Sequence, residues 1–514
     1  MSDSGRGSGR NRPLLGVVLV GALAMVTACA SGAYETGNQD TGGAGGTLTV
    51  ALPSDIISMD PAMHRSRVTQ SVVRNVFDAL VNQGPDLQPV PELATSWQQL
   101  DPTTWQFDLR RDVTFHNGEP FDAEAVKFSI ERLLDPDQKS PRASMLSSIS
   151  SVEVKDPHTV LIKTKTPSPI LLAGLAVNEI VPPKYVQEVG AEEFAKKPVG
   201  TGPFSFVERV PNERIVLQAN KDYWGGAPKV DKLVFRPVPE VSARIAALKS
   251  GEVHIAAEIP ADLAPTLTGD VKAAPVTGTR IFFLAMNVTQ APFTSAEVRA
   301  GVNHAIDREA LVKGLYQGYG RSLDQPAFPE MLGYHDSFQG PSFDLAKAKQ
   351  LLSAADGAAV RIDVEEKDKT LAEAVAGQLQ QAGLKATVNV LETQAFTNSI
   401  GSGASQAYLS SWGVAEGDAD VIFAQHFWSP SRSSAFYTGY RNDQVDKLVA
   451  DARATTDQTQ REALYRQAIE TVMHDAPWAP LLNPHEIYGV STRVLDWEPS
   501  PIGRYNVVKT SLAS

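Results

Sequence analysis

The pattern of apolar and polar positions predicts strands and helices that follow an apolar run near the N-terminus. Residues 14–25 are almost entirely apolar. They number about 12, whereas a helix that spans a bilayer requires about 20. Residues 47–51 and 104–109 alternate apolar and polar side chains, which is typical of half-buried strands. Apolar residues spaced three and four apart predict an amphipathic helix over residues 70–80.

Capping and breaking residues place further elements. Asp122 is a candidate N-cap for an amphipathic helix that reaches Leu134, where Asp135-Pro136 ends it. In the middle of the chain, a helical pattern over residues 370–382 lies between short apolar strands over 360–364 and 386–390. This order of strand, helix and strand indicates a parallel sheet in an α/β domain. Two more helical patterns in this part of the chain cover residues 296–316 and 344–355.

The N-terminus has the features of a secretory signal, because three arginines precede the apolar run and small residues follow it. Residues 26–29, with the sequence VTAC, resemble the lipobox of bacterial lipoproteins, in which Cys29 would carry the lipid. We therefore expect a signal peptide over residues 1–28 and a lipid anchor at the extracytoplasmic face of the cell membrane. Residues 29–46 are rich in Gly, Ser, Thr and Asn and predict a flexible tether.

Composition excludes several classes of function. The 514 residues include 47 Lys+Arg and 59 Asp+Glu, and the net charge of −12 argues against broad nucleic-acid binding. The single cysteine excludes an intramolecular disulfide and any site built from several cysteines. The nine histidines have no metal-type spacing, so neither a metal nor a cofactor is expected. An extracellular hydrolase is the alternative from a different class, but the chain lacks Gly-x-Ser-x-Gly and His-Glu-x-x-His motifs.

A series of short segments is distributed over residues 47–510. They are residues 93–97 (LATSW), 104–110 (TWQFDLR), 113–129 (VTFHNGEPFDAEAVKFS), 200–204 (GTGPF), 220–224 (NKDYW), 298–308 (VRAGVNHAIDR), 343–348 (FDLAKA) and 475–481 (DAPWAPL). In this order they resemble the extracytoplasmic solute-binding proteins of bacterial family 5, which serve ABC importers of peptides, opines and nickel. The resemblance implies a substrate-binding lipoprotein, not an enzyme, that captures a peptide-like or other small polar solute. It also implies delivery of that solute to the transmembrane subunits of an ABC permease.

The resemblance further implies an α/β, two-lobed periplasmic-binding-protein-like fold of type II, in the large form with an extra subdomain. Lobe one would comprise residues 47–284 and 480–514, with the extra subdomain at about residues 76–184. Lobe two would comprise residues 285–479. The solute would be held between the lobes of a monomer.

Candidate ligand contacts follow from positions that match the family's cleft. Trp412 opens a loop that matches the family's cleft-facing loop, and an aromatic wall with a few fixed charges suits a small polar ligand. The candidate ligand-binding residues are Met59, His64, Arg65, Arg142, Trp412, Asp418, Arg432 and Tyr437. Core packing for Trp412 and a solvated turn for Asp418 are the structural alternatives.

Two positions depart from the family pattern. Typical peptide binders carry an aspartate three residues after this tryptophan, where this chain has Ala415, so Glu416 or Asp418 would have to bind the peptide amine. The nickel branch carries a histidine where this chain has Arg432, a side chain suited to a carboxylate or phosphate. A receptor for a nickel metallophore or an opine stays open as the alternative within the family.

Overall fold

The computed structural model of the protein describes residues 45–430 and 438–513. Its strands are β1 (Thr47–Leu52), β2 (Val81–Gln83), β3 (Pro89–Pro91), β4 (Ala94–Asp101), β5 (Thr104–Leu109), β6 (Ile149–Asp156), β7 (Thr159–Thr164), β8 (Phe204–Val210), β9 (Arg214–Ala219), β10 (Lys232–Pro237), β11 (Ile255–Ala256), β12 (Val271–Thr277), β13 (Arg280–Met286), β14 (Gly320–Ser322), β15 (Ala359–Glu365), β16 (Lys385–Leu391), β17 (Ala407–Gly413), β18 (Trp478–Ser491), β19 (Val494–Leu495) and β20 (Ser511–Leu512).

The helices are α1 (Arg67–Val73), α2 (Ala123–Leu134), α3 (Leu171–Ala176), α4 (Pro183–Lys196), α5 (Val241–Lys249), α6 (Ala296–Ala305), α7 (Arg308–Leu315), α8 (Leu345–Leu351), α9 (Lys369–Gln381), α10 (Thr393–Gly401), α11 (Asp420–Ile422), α12 (Asp443–Ala454) and α13 (Gln458–Asp475). A π-helical turn over Phe423–Phe427 continues α11. Short 3-10 helices cover Pro61–Met63, Pro136–Gln138, Ala143–Leu146, Ala264–Thr266, Ser353–Ala355 and Glu366–Asp368.

A large mixed sheet runs through the part of the chain that the structure describes. Its main path has the order β16-β15-β17-β13-β18-β11-β1-β10-β9-β8, and β12 and β14 also pair with β18. The early residues of β18 pair with β13, and its later residues pair with β12 and β11, all antiparallel. The long strand β18 therefore joins the two parts of the sheet. Strands β4, β5, β7 and β6 form a separate antiparallel sheet in that order.

Each part of the molecule has its own hydrophobic core. Around β1, β8, β9 and β10 the core includes Leu48, Val50, Phe204, Leu217 and Phe235. Around β13, β15 and β17 it includes Leu284, Val302, Ile362, Val375 and Leu409. The separate sheet packs on α2 through Phe107, Val126 and Ile162. We use "lobe one" for β1–β12, α1–α5 and the C-terminal residues after β18, and "lobe two" for β13–β17 with α6–α13. The residue boundaries given above stay predictions.

Local signals placed many elements correctly. Residues 47–51 and 104–109 lie in β1 and β5, as predicted. Asp122 caps α2, since its carboxylate accepts a hydrogen bond from the N–H of Ala125 at 3.1 Å. The strands predicted in the α/β region are β15 and β16, and they pair in parallel.

The helix predicted over residues 70–80 is wrong in its second half, because α1 has ended before Asn75. The carbonyl oxygen of Asn75 accepts a hydrogen bond from the N–H of Phe204 at 2.9 Å. The carbonyl oxygen of Val76 accepts one from the N–H of Gly202, also at 2.9 Å. These long-range bonds take backbone acceptors that a continued helix would need.

The helical pattern over residues 296–316 is two helices rather than one. Ile306 has extended backbone and ends α6. Asp307 then caps α7 by accepting a hydrogen bond from the N–H of Ala310 at 2.9 Å. Arg308 is buried and donates to the carbonyl oxygen of Pro480 at 2.6 Å. Asp307 therefore starts the helix, and Arg308 holds it against β18.

Candidate functional site

A cavity of about 580 Å³ lies between the two lobes. Lobe one and lobe two both line it, with side chains that include Arg65, Gln83, Met145 and Val177 from the first and Trp412, Ala415, Glu416, Gln425 and Arg453 from the second. Ligand pockets in proteins measure about 300–1,000 Å³, so this cavity has the volume of a small-molecule site.

A second cavity of about 220 Å³ adjoins the first on the side of lobe one, and the two share several wall residues. The shared residues are Arg65, Gln83, Met145, Val177 and Ala415. The additional residues of the second cavity include Arg67, Arg142, Thr279, Ile502 and Arg504. We call the two spaces the main cavity and the arginine cavity.

Trp412 forms part of the lobe-two wall of the main cavity. It lies on β17, where it pairs with Ile281 of the neighbouring strand β13. Its half-buried indole meets the ring of His426 edge to face, with centroids 4.6 Å apart. Because the sheet and this ring contact hold the indole, its orientation is set by the fold before a ligand enters.

The loop after Trp412 is fixed by hydrogen bonds and an ion pair. The N–H of Val414 donates to the carbonyl oxygen of Thr279 at 2.8 Å. The carboxylate of Asp418 accepts two hydrogen bonds from the guanidinium of Arg461, each at 2.6 Å. This buried fork leaves Asp418 engaged within lobe two, and its side chain lines a third cavity rather than the main one.

Glu416 is an acidic side chain of the main cavity's wall. Among the described residues, no Lys, Arg or His donates a hydrogen bond to its carboxylate. Burial raises the pKa of its carboxyl group, the charge of Asp418 raises it further, and Arg65 opposes both. The other acid of the wall, Asp420, is held by the hydroxyl of Tyr465 at 2.7 Å and by Arg453 at 3.2 Å. Glu416 is therefore the carboxylate available for a cationic group of a ligand.

A buried network of charges underlies the lobe-one wall. Arg74 donates to both carboxylate oxygens of Glu92, at 2.6 and 2.8 Å. Arg142 pairs with Glu179 at 3.3 Å, and it also donates to the carbonyl oxygen of Val177. Burial lowers the pKa of the Arg142 guanidinium, although Glu179 opposes the shift. Because a carboxylate and carbonyls take its donors, Arg142 holds the wall together.

His64 and Met59 lie inside lobe one. Met59 is 1% exposed and packs in the core around β1. His64 is 2% exposed, and burial, followed by the charge of Arg142, lowers its pKa to about 3. Its imidazole is therefore neutral at physiological pH.

The structure brings some of the predicted ligand contacts together. Arg65 and Trp412 line the main cavity, and Arg142 lines the arginine cavity that adjoins it. Arg432, Tyr437 and Cys29 lie outside the described residues. The assignment of the whole set to a ligand stays a prediction.

The lobes contact each other beside the cavity. The side-chain amide of Gln83 donates to the carbonyl oxygen of Ala415 at 2.7 Å. Leu87, at the tip of the hairpin formed by β2 and β3, is 2% exposed because it packs within a hydrophobic core of lobe two. Gly417 lies against it, and a Cβ atom at this glycine would be 2.5 Å from the Leu87 Cβ. Lobe one therefore inserts a hairpin tip into lobe two.

Sequence reasoning missed Gln83, Arg453 and Arg504 as wall residues. Gln83 and Arg504 are more than 400 positions apart in the chain, and neither lies in a motif that marks a ligand. For Arg504 the one local signal is its turn, Pro499-Ser500-Pro501-Ile502-Gly503, which predicts a tight change of direction but not what the arginine contacts.

Metal-binding clusters and membrane-spanning helices were sought within residues 45–430 and 438–513. In these ranges no three His, Cys, Asp or Glu side chains converge in a way that could hold a metal ion. In the same ranges no helix combines the length and the apolar character needed to cross a bilayer.

Comparison with known proteins places the chain in a family. Residues 88–434 match the family model described as "Bacterial extracellular solute-binding proteins, family 5 Middle". The glutathione-binding protein GsiB of Pectobacterium atrosepticum is 31% identical over 451 residues, which cover 84% of this chain and 87% of the relative.

Solved structures share the fold of this chain. HbpA2 from Haemophilus parasuis superimposes with a TM-score of 0.83 at 24% identity, covering 91% of this chain and all of that one. The periplasmic binding protein DppA from Helicobacter pylori, in complex with the peptide STSA, gives a TM-score of 0.72 at 28% identity. Its match covers 91% of this chain and 98% of that one. The chain therefore belongs to the bacterial extracellular solute-binding proteins of family 5, which are transport binding proteins of ABC importers and not enzymes.

Proposed function

We propose that the protein captures a peptide-like solute, with glutathione as the first candidate, between its two lobes and delivers it to the permease of an ABC importer. The observation that carries this proposal is the main cavity, because both lobes line it and its volume suits one small molecule. A solute bound there bridges the lobes, so binding favours the closed arrangement that a permease can distinguish from an open one.

The chemistry of the wall supports a solute that is both polar and partly apolar. Trp412 offers an aromatic surface against which an aliphatic or thiol-bearing side chain can pack. Glu416 offers a carboxylate for an ammonium group, and Arg65 offers a guanidinium for a carboxylate. An α-amino acid derivative or short peptide carries both of these charged groups.

The relatives support the choice of glutathione. The P. atrosepticum relative at 31% identity is a glutathione-binding protein, and the H. pylori structure at 28% identity holds a short peptide. A third relative, AgaA, holds agropinic acid at 26% identity, so an opine is the alternative solute to be tested beside glutathione.

Calorimetric titration of the purified protein with glutathione tests the proposal. We expect one binding site, and we expect Trp412→Ala to weaken binding about 30-fold or more, as removal of a buried aromatic contact does. The matched control is Trp97→Ala, because Trp97 is also half-buried but packs on Phe107 in the separate sheet. Binding of agropinic acid but not of glutathione or short peptides would contradict the proposal, as would unchanged affinity in Trp412→Ala.

We also propose that lipid on Cys29 anchors the protein at the outer face of the cell membrane. The support is the sequence of residues 26–29 after an apolar run that is too short to span a bilayer. In cells that express the full chain, Cys29→Ala should move the protein from the membrane fraction to the soluble fraction. Continued membrane association of this variant would refute the anchor.

A further inference from the structure

The arginine cavity has an unusual balance of charge. Its wall contains Arg65, Arg67, Arg142 and Arg504, and no acidic side chain is among the described residues that line it. Arginine side chains collected around a cavity attract an anionic group, because the guanidinium fork matches the geometry of a carboxylate.

Two of these arginines are neutralised from behind the wall. The guanidinium of Arg67 is 2.6 Å from the carboxylate of Glu486. Arg142 is 3.3 Å from Glu179, as described above. Their charges are therefore balanced within the protein.

Arg504 differs, because its hydrogen bonds go to neutral groups. It donates to the side-chain oxygen of Asn82 and, at 2.8 Å, to the carbonyl oxygen of Ala176. Among the residues that the structure describes, no carboxylate forms an ion pair with it. Burial, followed by the charge of Arg74, lowers the pKa of Arg504 to about 9, so the side chain is still charged at neutral pH.

The nearby acids are already occupied. Glu92 accepts from Arg74, from the N–H of Ala79 and from the amide of Asn82, and Glu179 accepts from Arg142 and Gln70. The third buried acid, Asp78, accepts hydrogen bonds from the neutral side chains of Thr201 at 2.9 Å, Tyr223 at 3.1 Å and Trp224 at 2.8 Å.

Arg65 is the second arginine of this cavity for which no ion pair with a described carboxylate is found. It is exposed, and it lines both the main cavity and the arginine cavity. It therefore stands where a solute in the main cavity would extend a group towards Arg504.

The backbone holds Arg504 in this place. Gly503 has a φ of +76° and donates its N–H to the carbonyl oxygen of Ser500 at 3.0 Å, which closes the turn before Arg504. A Cβ atom at Gly503 would be 2.6 Å from Nε of Arg67, and side chains rarely adopt this φ, so glycine suits the position.

We propose that Arg65 and Arg504 form a carboxylate subsite in the arginine cavity, at which one carboxylate of the bound solute is held. This inference rests on the proposed function and specifies how the solute is recognised. Arg65 and Arg504 together with Glu416 present two cationic groups and one anionic group to the cavities. Glutathione at neutral pH has the complementary set, with two carboxylates and one ammonium group.

The test is a double-mutant cycle, measured by titration calorimetry, in which one change is made in the protein and the other in the solute. Wild type and Arg504→Gln are each titrated with glutathione and with its two monoamides, in which either the glycine carboxylate or the glutamyl α-carboxylate is a carboxamide. The control is Arg244→Gln, because Arg244 is a buried arginine that also donates only to carbonyl oxygens but lies outside the walls of both cavities.

We expect Arg504→Gln to bind glutathione about 30-fold or more weakly than wild type, as loss of one partner of a charged hydrogen-bonded pair does. On wild type, one of the two monoamides should bind more weakly than glutathione by a similar factor. On Arg504→Gln, that monoamide should bind nearly as well as glutathione does, because the arginine that held the missing carboxylate is already absent. Arg504→Lys should recover part of the affinity, and the folded fraction of Arg244→Gln should bind as wild type does.

Three results would overturn the subsite. The first is that Arg504→Gln binds glutathione as tightly as wild type does. The second is that, on Arg504→Gln, both monoamides bind more weakly than glutathione by the same factors as on wild type. In either case the proposed function stands, because wild type still binds glutathione. The third is wild type that binds neither glutathione nor its amides, which contradicts the proposed function and the subsite with it.

Discussion

Glu416 and Asp418 show how neighbours decide the role of a side chain. Both are acidic, and they lie two positions apart in one loop. Asp418 is bound by the fork of Arg461, whereas Glu416 faces the main cavity without such a partner. The same chemical group therefore stabilises lobe two at one position and stays available to a ligand at the other.

The raised pKa of Glu416 leads to a prediction about stability without ligand. A folded-state pKa above the unfolded value means that the folded protein prefers the protonated form. Stability is then lost as the pH rises from about 4 through the folded pKa of Glu416. Glu416→Gln, which stays neutral, should match wild type near pH 4 and exceed it in melting temperature at pH 8.

Thermal melting across this pH range checks the prediction, with Glu188→Gln as the control because Glu188 is exposed. The control should follow wild type at every pH. A Glu416→Gln variant whose advantage does not grow with pH would show that burial does not disfavour the charged carboxylate.

At the scale of elements, the hairpin of β2 and β3 connects the lobes. Its tip residue Leu87 has a φ of +62°, which is rare for a side chain of this size, and it is buried in a core of lobe two. Gly417, which has a φ of +63°, provides the space for it. The contact of Leu87 with Gly417 therefore joins the lobes beside the hydrogen bond from Gln83 to Ala415.

Gly417→Ala should open the lobes. A methyl group at this position meets Leu87, so the closed form loses population and the apparent affinity for glutathione falls about tenfold. Gly118→Ala is the matched control, since Gly118 also has a positive φ but has free space around its Cβ position. Both variants place a side chain at a positive φ, which costs about 1–2 kcal/mol.

Small-angle scattering and titration measure the two effects separately. Without ligand, Gly417→Ala should have a larger radius of gyration than Gly118→Ala, and titration with glutathione should give the weaker binding. Equal dimensions and equal affinity in the two variants would mean that the hairpin tip does not contribute to closure.

Elements with local signals could be predicted from the sequence, and elements set by distant contacts could not. The helix that Asp122 caps follows from a capping residue and an apolar spacing that are both adjacent in the chain. The early end of α1 follows from the hydrogen bonds that Asn75 and Val76 accept from Phe204 and Gly202, which are far away in the sequence. No pattern within residues 70–80 carries that information.

For the whole molecule, the fold could be predicted from segments that are local in the chain, whereas the site depends on contacts between distant residues. The ordered segments of the chain sufficed to predict the two-lobed α/β fold and the family, and the comparisons confirm both. The cavity walls are assembled from residues as distant as Arg65 and Arg504, so their meeting depends on the completed sheet. Trp412 was predicted because it lies in a recognisable segment, whereas Arg504 does not.

Hydrogen–deuterium exchange with and without glutathione shows whether both lobes hold one solute at once. Glutathione should slow exchange in residues 408–416 of lobe two and, in the same sample, in residues 142–146 and 174–178 of lobe one. Exchange that is unchanged, or slowed in one lobe alone, would contradict this prediction.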